Sequence, residues 1–203
     1  MTPTSYDRFA AVAAVLAGIA GFLYALAFIV IQRNSAETGA FLSALFLLLA
    51  GLFTTAALVG VYERLRQSDA AFALWAVLLG IAGALGSLIH GGYDLANTIN
   101  PPRTLSADLP SQIDPRGLLT FGLAAIGLFV ISWLILKGGQ LPKGLGYLGY
   151  LSALLLMILY MGRLVILSPS SFIIVVPAIV NGFLVNPVWY VWLGVALWRP
   201  GES

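Results

Sequence analysis

A series of uncharged apolar stretches constrains this chain more than any other feature. The hydrocarbon core of a bilayer is about 30 Å thick, and roughly 20 residues of α-helix cross it. Backbone amides left unpaired in hydrocarbon are costly, so such stretches are expected to be helices. Six stretches are long enough, at approximately 9–32, 39–62, 71–97, 117–136, 145–167 and 172–198. The sequence therefore predicts an all-α integral-membrane bundle of six transmembrane helices, a single domain over residues 1–203.

The composition agrees with a surface that faces lipid. Of the 203 residues, 60% are hydrophobic and only 9% are charged, whereas soluble domains have about 25% charged residues. The net charge is +2 and there is no block of basic residues, which argues against a nucleic-acid partner. Because the chain has no cysteine and one histidine, disulfides, iron–sulfur clusters and sites with several imidazole or thiolate ligands are excluded within it.

The distribution of basic residues predicts the orientation. One side of a six-span bundle collects most of them: Arg8, Arg64, Arg66, Lys137, Lys143 and Arg199. The opposite side collects Arg33, Arg103 and Arg116, with Arg163 just inside a helix end. Because positively charged loops favour the cytoplasm, both termini are predicted to be cytoplasmic. The proline-rich loop at 98–116 then faces outward.

Small residues and prolines predict how the helices pack. Gly83, Ser87 and Gly91 recur every four residues on the third span, a spacing that lets helix backbones approach closely in a membrane. Pro177 and Pro187 lie in the sixth span, where each removes a helical hydrogen bond. We therefore expect a tightly packed third span and a kinked sixth span.

The segment LIHGGYDLAN, residues 88–97, holds the only histidine and is the strongest candidate for a site. His90, Asp94 and Asn97 share one face of the predicted helix with the small residues. An ionised side chain inside a membrane costs at least ~2.5 kcal/mol, so Asp94 is expected to pair, with Arg163 as the predicted partner. The candidate ligand-binding residues in the outer half of the bundle are His90, Tyr93, Asp94, Asn97, Tyr160, Arg163 and Asn181.

Several roles for this cluster stay open on the sequence alone. The Asp94–Arg163 pair can simply join two helices, or it can border a site for a small polar or amphiphilic ligand. A single imidazole at His90 suffices for an axial bond to a pigment or haem. Ser87, His90 and Asp94 resemble a catalytic triad in composition, but three residues of one helix rarely supply its geometry. A proton relay lacks a polar path to the cytoplasmic side.

The stretch HGGYDLANTINPP, residues 90–102, resembles bacterial integral-membrane protein families of unknown function. The resemblance implies a multi-pass protein of the bacterial inner membrane and assigns no catalytic residue. The sequence requires no cofactor and leaves its identity open, it identifies no metal ligands and no catalytic residues, and it favours binding or transport over enzymatic activity.

The sequence is therefore compatible with two functions. The first is a bundle that binds or moves a small polar or amphiphilic ligand through a site in its outer half. The second is a non-catalytic accessory subunit of a larger membrane complex or homo-oligomer, with a pigment or haem on His90 as one variant. A ligand site predicts a polar cavity open to the outside around His90, whereas an accessory subunit predicts a filled core and an outward-facing groove of small residues.

Overall fold

The computed structural model describes residues 4–101, 118–165 and 170–199, except for the side chains of Leu118, Leu119 and Arg163. Nearly all of this part of the chain is helical, and it contains no strand. Five helices are long and apolar enough to cross a membrane. In chain order they are α1 (Ser5–Asn34), α2 (Ala36–Ile99), α3 (Thr120–Gly138), α4 (Lys143–Val165) and α5 (Phe172–Trp198).

These helices bury small residues and expose large apolar side chains, which is the reverse of the arrangement in a soluble protein. Every buried residue of the stretch Ser5–Leu26 of α1 is alanine or glycine. Its large apolar side chains, such as Phe9, Leu16 and Ile19, are exposed instead. Exposed apolar faces of this extent are rare on soluble monomers and are expected where a helix faces lipid. The helices are thus compatible with a multi-pass membrane protein.

Helix α2 folds back on itself at Asp69. The backbone of Asp69 is extended (φ −165°, ψ 100°), and its carboxylate accepts a hydrogen bond of 3.2 Å from the N–H of Phe72. This is the geometry of an N-cap, so a new helix begins there. Asp69 divides α2 into a first arm, residues 36–68, and a second arm, residues 70–99.

The two arms lie side by side and run antiparallel. Gly91 of the second arm contacts the backbone of Leu48 in the first arm, and Gly80 contacts the side chain of Leu58. In both contacts the two residues are about equally far from residue 69 along the chain, which is the pattern of a helical hairpin. The predicted spans 39–62 and 71–97 therefore lie in one continuous element, so the structure has five long helices. The number of membrane crossings and the side of the termini stay predictions.

The connection expected at residues 63–70 is almost entirely helical. Glutamate, arginine, leucine and glutamine have high helix propensity, and Arg66 forms a 2.9 Å ion pair with Glu63 one turn earlier. The first arm therefore extends to residue 68, and the reversal needs only Asp69.

The six segments form a closed ring in the order α1, first arm, second arm, α3, α4, α5 and back to α1. A glycine lies at each of the six contacts between neighbours. These glycines are Gly60 (against Ala10), Gly51 (against Ala84), Gly127 (against Ala76), Gly146 (against Leu136), Gly144 (against Trp192) and Gly194 (against Ala11). At four of them a Cβ atom would lie within 2.9 Å of backbone or side-chain atoms of an adjacent segment that have little freedom to move: 2.6 Å at Gly60 and Gly51, and 2.7 Å at Gly127 and Gly194.

Large side chains fill the ring at the end where Asp69 lies, which we call the Asp69 end. Leu65, Ile131 and Leu193 are almost fully buried there. Trp189 is buried as well, and its indole N–H donates a 3.0 Å hydrogen bond to the carbonyl of Leu145. The opposite end, where Arg33 lies, is the Arg33 end, and it corresponds to the predicted outer face.

Replacement of Gly91 by alanine is expected to destabilise the protein. The new Cβ would lie 2.5 Å from the amide nitrogen of Leu48, so the two arms must move apart. We expect the free energy of unfolding, measured by denaturant titration in detergent, to fall by about 1–3 kcal/mol.

The adjacent glycine provides the matched control. A Cβ at Gly92 would lie 3.7 Å from its nearest neighbour, the Cδ1 atom of Leu48, which is an ordinary contact. Gly92→Ala should be neutral or stabilise the helix by up to about 1 kcal/mol. Equal stabilities of the two variants would contradict close packing of the arms.

Candidate functional site

A cavity of about 840 Å³ lies inside the ring and is lined by residues of all five helices. It begins at the Arg33 end and ends at a floor formed by Leu58, Ile131 and Trp189. Along α1 its lining runs from Arg33 to Ala17, which is roughly 24 Å at the helical rise of 1.5 Å per residue. Ligand pockets usually have about 300–1,000 Å³, so this volume suits a bound molecule.

Small and apolar residues form most of the wall. Gly51, Gly80 and Gly83 hold the two arms and α3 close together, and the same residues border the cavity. Without side chains they add nothing to the interior beyond their backbone. The cavity is therefore a direct consequence of the small-residue contacts that close the ring.

Three segments with a widened, π-helical turn occur among the described residues, and all three border the cavity. They are Ala27–Ile31 in α1, Leu118–Leu123 at the start of α3, and Asn181–Val185 in α5. π-Helical turns are rare and are frequent at functional sites. The segment in α5 lies between Pro177 and Pro187, in the span for which the prolines predicted a kink.

A few polar side chains lie within the mostly apolar wall. Asn181 is buried, and its side-chain oxygen accepts a 2.9 Å hydrogen bond from the hydroxyl of Ser152. Deeper in the cavity, the hydroxyls of Thr54 and Tyr190 form a hydrogen bond. These groups are satisfied by one another and lie at different depths, so the wall offers isolated polar points rather than a polar channel.

The mouth of the cavity lies between α1 and α5. Helix α1 packs along the part of α5 that follows Asn181 and separates from residues 172–180 among the segments that the structure describes. Both sides of this gap line the cavity, with Phe28 and Gln32 on α1 and Ile174 on α5. Arg33 stands at the mouth and is the one charged residue among the described lining residues.

The structure distributes the predicted site residues over different surroundings. Asn181 lines the cavity, as does the neighbouring Ser87. Four of the predicted residues are partly buried and are not among the described lining residues: His90, Asp94, Asn97 and Tyr160. Tyr160 packs its ring against Gly122 of α3. Tyr93 is 59% exposed on the outer surface of the second arm.

The side chains of His90 and Asp94 contact each other within the second arm. The Nε2 atom of His90 lies 2.9 Å from a carboxylate oxygen of Asp94. Metal ligation through that nitrogen would require His90 to leave the carboxylate. The hydroxyl of Ser87 donates to the carbonyl of Gly83, not to His90, so the hydrogen bond that a serine nucleophile needs is not formed. The side chain of Arg163 lies outside the described residues, and the Asp94–Arg163 pair stays a prediction.

Sequence reasoning did not identify Arg33, Thr54 or Tyr190 as site residues. The sequence contains one indication for Arg33. It is the second-last residue of the first helix and the only basic residue in the second half of α1. Thr54 and Tyr190 carried none, because a polar residue in an apolar helix does not reveal which neighbour it meets.

Replacement of Ser152 by alanine tests the polar contact in the wall. The change leaves the buried side-chain oxygen of Asn181 without its donor, which costs about 1–3 kcal/mol. Ser43→Ala is the control, because this buried serine donates only to the carbonyl of Ala40 in its own helix. We expect thermal unfolding in detergent to begin at a lower temperature for Ser152→Ala alone, and similar curves for both variants would contradict the contact.

Comparisons with protein-family models, with curated proteins and with solved structures return no match for this chain. The resemblance at residues 90–102 therefore stays a prediction. Function must be argued from the cavity, its mouth and the chemistry of the residues around them.

Proposed function

We propose that this chain is an inner-membrane protein that binds or moves a small amphiphilic ligand in the cavity between its helices. The observation that carries the proposal is the cavity of about 840 Å³, which residues from all five helices line. A filled core would have favoured an accessory subunit of a larger complex. The open interior supports the ligand-binding function over that alternative.

The apolar wall of the cavity supports an occupant other than water. Water needs about two to four polar partners per molecule, and the few polar groups of the wall serve only part of the volume. An occupant with a long apolar part fits the remainder.

The position of the mouth supports entry from the bilayer. The gap between α1 and residues 172–180 is bordered by apolar side chains, and Phe28 and Ile179 are exposed there. A molecule dissolved in the lipid meets mostly apolar side chains along such a gap, whereas its polar end can stay near the water at the Arg33 end. The ligand class that matches this arrangement is a lipid-like amphiphile.

We also propose that the bundle crosses the membrane six times with both termini in the cytoplasm. Each arm of α2 contains one of the predicted spans, and each has about 30 residues, enough to cross the hydrocarbon core. The Asp69 end, with Arg64, Arg66 and Lys137, then faces the cytoplasm.

Single cysteines introduced into the cysteine-free chain test this topology. Ser35, Gln67 and Asn100 are exposed and lie at the two ends and the turn of α2. A membrane-impermeant thiol reagent applied from outside should label cysteine at 35 and at 100, but not at 67. Labelling of 35 and 100 from opposite sides would show that α2 crosses once.

Ala50→Phe tests the cavity as the ligand site. Ala50 lines the cavity, and a phenyl ring there would occupy part of its volume. We expect native mass spectrometry of the purified protein to show a bound amphiphile whose occupancy falls at least severalfold in the variant.

Ala96→Phe is the matched control, since Ala96 is exposed on the outer surface of α2. It should retain the occupant. An unliganded wild-type protein that also takes up no added amphiphile would overturn the proposal.

A further inference from the structure

The mouth of the cavity carries a charged side chain that the apolar wall does not explain. Arg33 is the one charged side chain among the described lining residues, and it is exposed there. No salt bridge joins it to an acidic group within the described ranges 4–101, 118–165 and 170–199. An arginine stays charged at all physiological pH values and presents a planar set of donors to a carboxylate or phosphate.

The first turn of α5 borders the same mouth. Ser170, Ile174 and Val175 line the cavity, and α5 begins at Phe172. The cap residue Ser171 makes no side-chain hydrogen bond to the first turn, and the N–H groups of Ile174 and Val175 bond to its carbonyl. The N-terminal end of a helix carries a partial positive charge, which favours an anion nearby. Arg33 and the N-terminal end of α5 thus border the same open end of an apolar cavity.

We infer that the ligand is an anionic amphiphile whose carboxylate or phosphate head binds Arg33 at the mouth. The inference rests on the proposed function and names its ligand class. The apolar part lies along the cavity, toward Leu58, Ile131 and Trp189 at the floor. The cavity extends for roughly 24 Å along α1, which accommodates an extended alkyl tail.

The position of Arg33 favours an anionic head group at the mouth of the cavity over one in its interior. The interior polar groups are neutral, and Asn181 and Tyr190 already have partners in Ser152 and Thr54. An anion placed among them would lose its hydration without meeting a cation, which is strongly unfavourable. At the mouth it keeps contact with water and gains charge-assisted hydrogen bonds from the guanidinium.

Paired probes that differ only in the head group test the inference. Palmitic acid and hexadecanol have tails of equal length, and only the acid ionises. Binding of each tritiated compound to the full chain is measured in neutral detergent, by scintillation proximity, at a pH where the acid is charged. We expect the acid to bind about tenfold more tightly than the alcohol, the lower range for a charge-assisted bond at an exposed site.

Variants of Arg33 then test whether this residue causes the preference for the acid over the alcohol. Arg33→Gln should weaken binding of the acid about tenfold, to the level of the alcohol, and leave the alcohol unchanged. Arg33→Lys, which keeps the charge, should retain most of the preference. Arg8→Gln makes the same change at the exposed, opposite end of α1 and should have no effect. Unchanged binding of hexadecanol shows that each variant is folded.

The outcomes separate this inference from the function on which it rests. If both probes bind equally to the native chain, or if Arg33→Gln keeps the preference for the acid, the anionic head group is wrong and the amphiphile site stands. If neither probe binds, the site itself and this inference are both overturned. A synthetic alkyl phosphate in place of the acid distinguishes the two head groups, since the tighter of the two identifies the natural chemistry.

Discussion

Close approach of helix backbones at small residues is the interaction on which this structure depends. Lipid removes the hydrophobic drive for helices to associate, so contact must come from van der Waals packing over surfaces that fit. The contact between the arms of α2 illustrates this, because a Cβ at Gly51 would lie 2.6 Å from the carbonyl of Ala84. Equivalent glycines at the other contacts close the ring, and a substituent at several of them would force it open.

The same small residues account for the cavity. Where large side chains point inward, as Leu65, Ile131 and Trp189 do, the ring is filled. Toward the Arg33 end the inward positions include Gly80, Gly83 and Ala84, which bring the backbones together but supply little volume. A bundle whose walls are held by glycine can therefore be closed at its perimeter and hollow within. The same residues therefore hold the helices together and border the cavity in which we propose that a ligand binds.

Much of the fold follows from the sequence because its determinants are local. The apolar stretches predicted the helices closely, and the prolines of α5 predicted its distortion. The small-residue spacing on residues 83–91 predicted tight packing, and Gly83 and Gly91 do contact neighbouring segments. The prediction of a connecting loop at residues 63–70 was wrong. The first arm stays helical to residue 68, and Asp69 caps the next helix, which the sequence pattern did not indicate.

The candidate site was predictable only in part. LIHGGYDLAN attracted attention through its rare polar residues; His90 and Asp94 contact each other along one helix, and the Asp94–Arg163 pair stays a prediction. The cavity is marked by residues with no distinctive chemistry, such as Ala50, Gly80 and Thr54. Their importance depends on which helices they face, and single-helix periodicity carries no such information.

By itself, the sequence determined a set of long apolar helices compatible with a membrane, because length, polarity and backbone hydrogen bonding act within each segment. Only the tertiary structure decided that α2 doubles back, that six segments close into a ring, and that the ring is hollow beside Arg33. The physical reason is that a cavity is a property of the space between chains far apart in sequence. No residue that borders it carries that information alone.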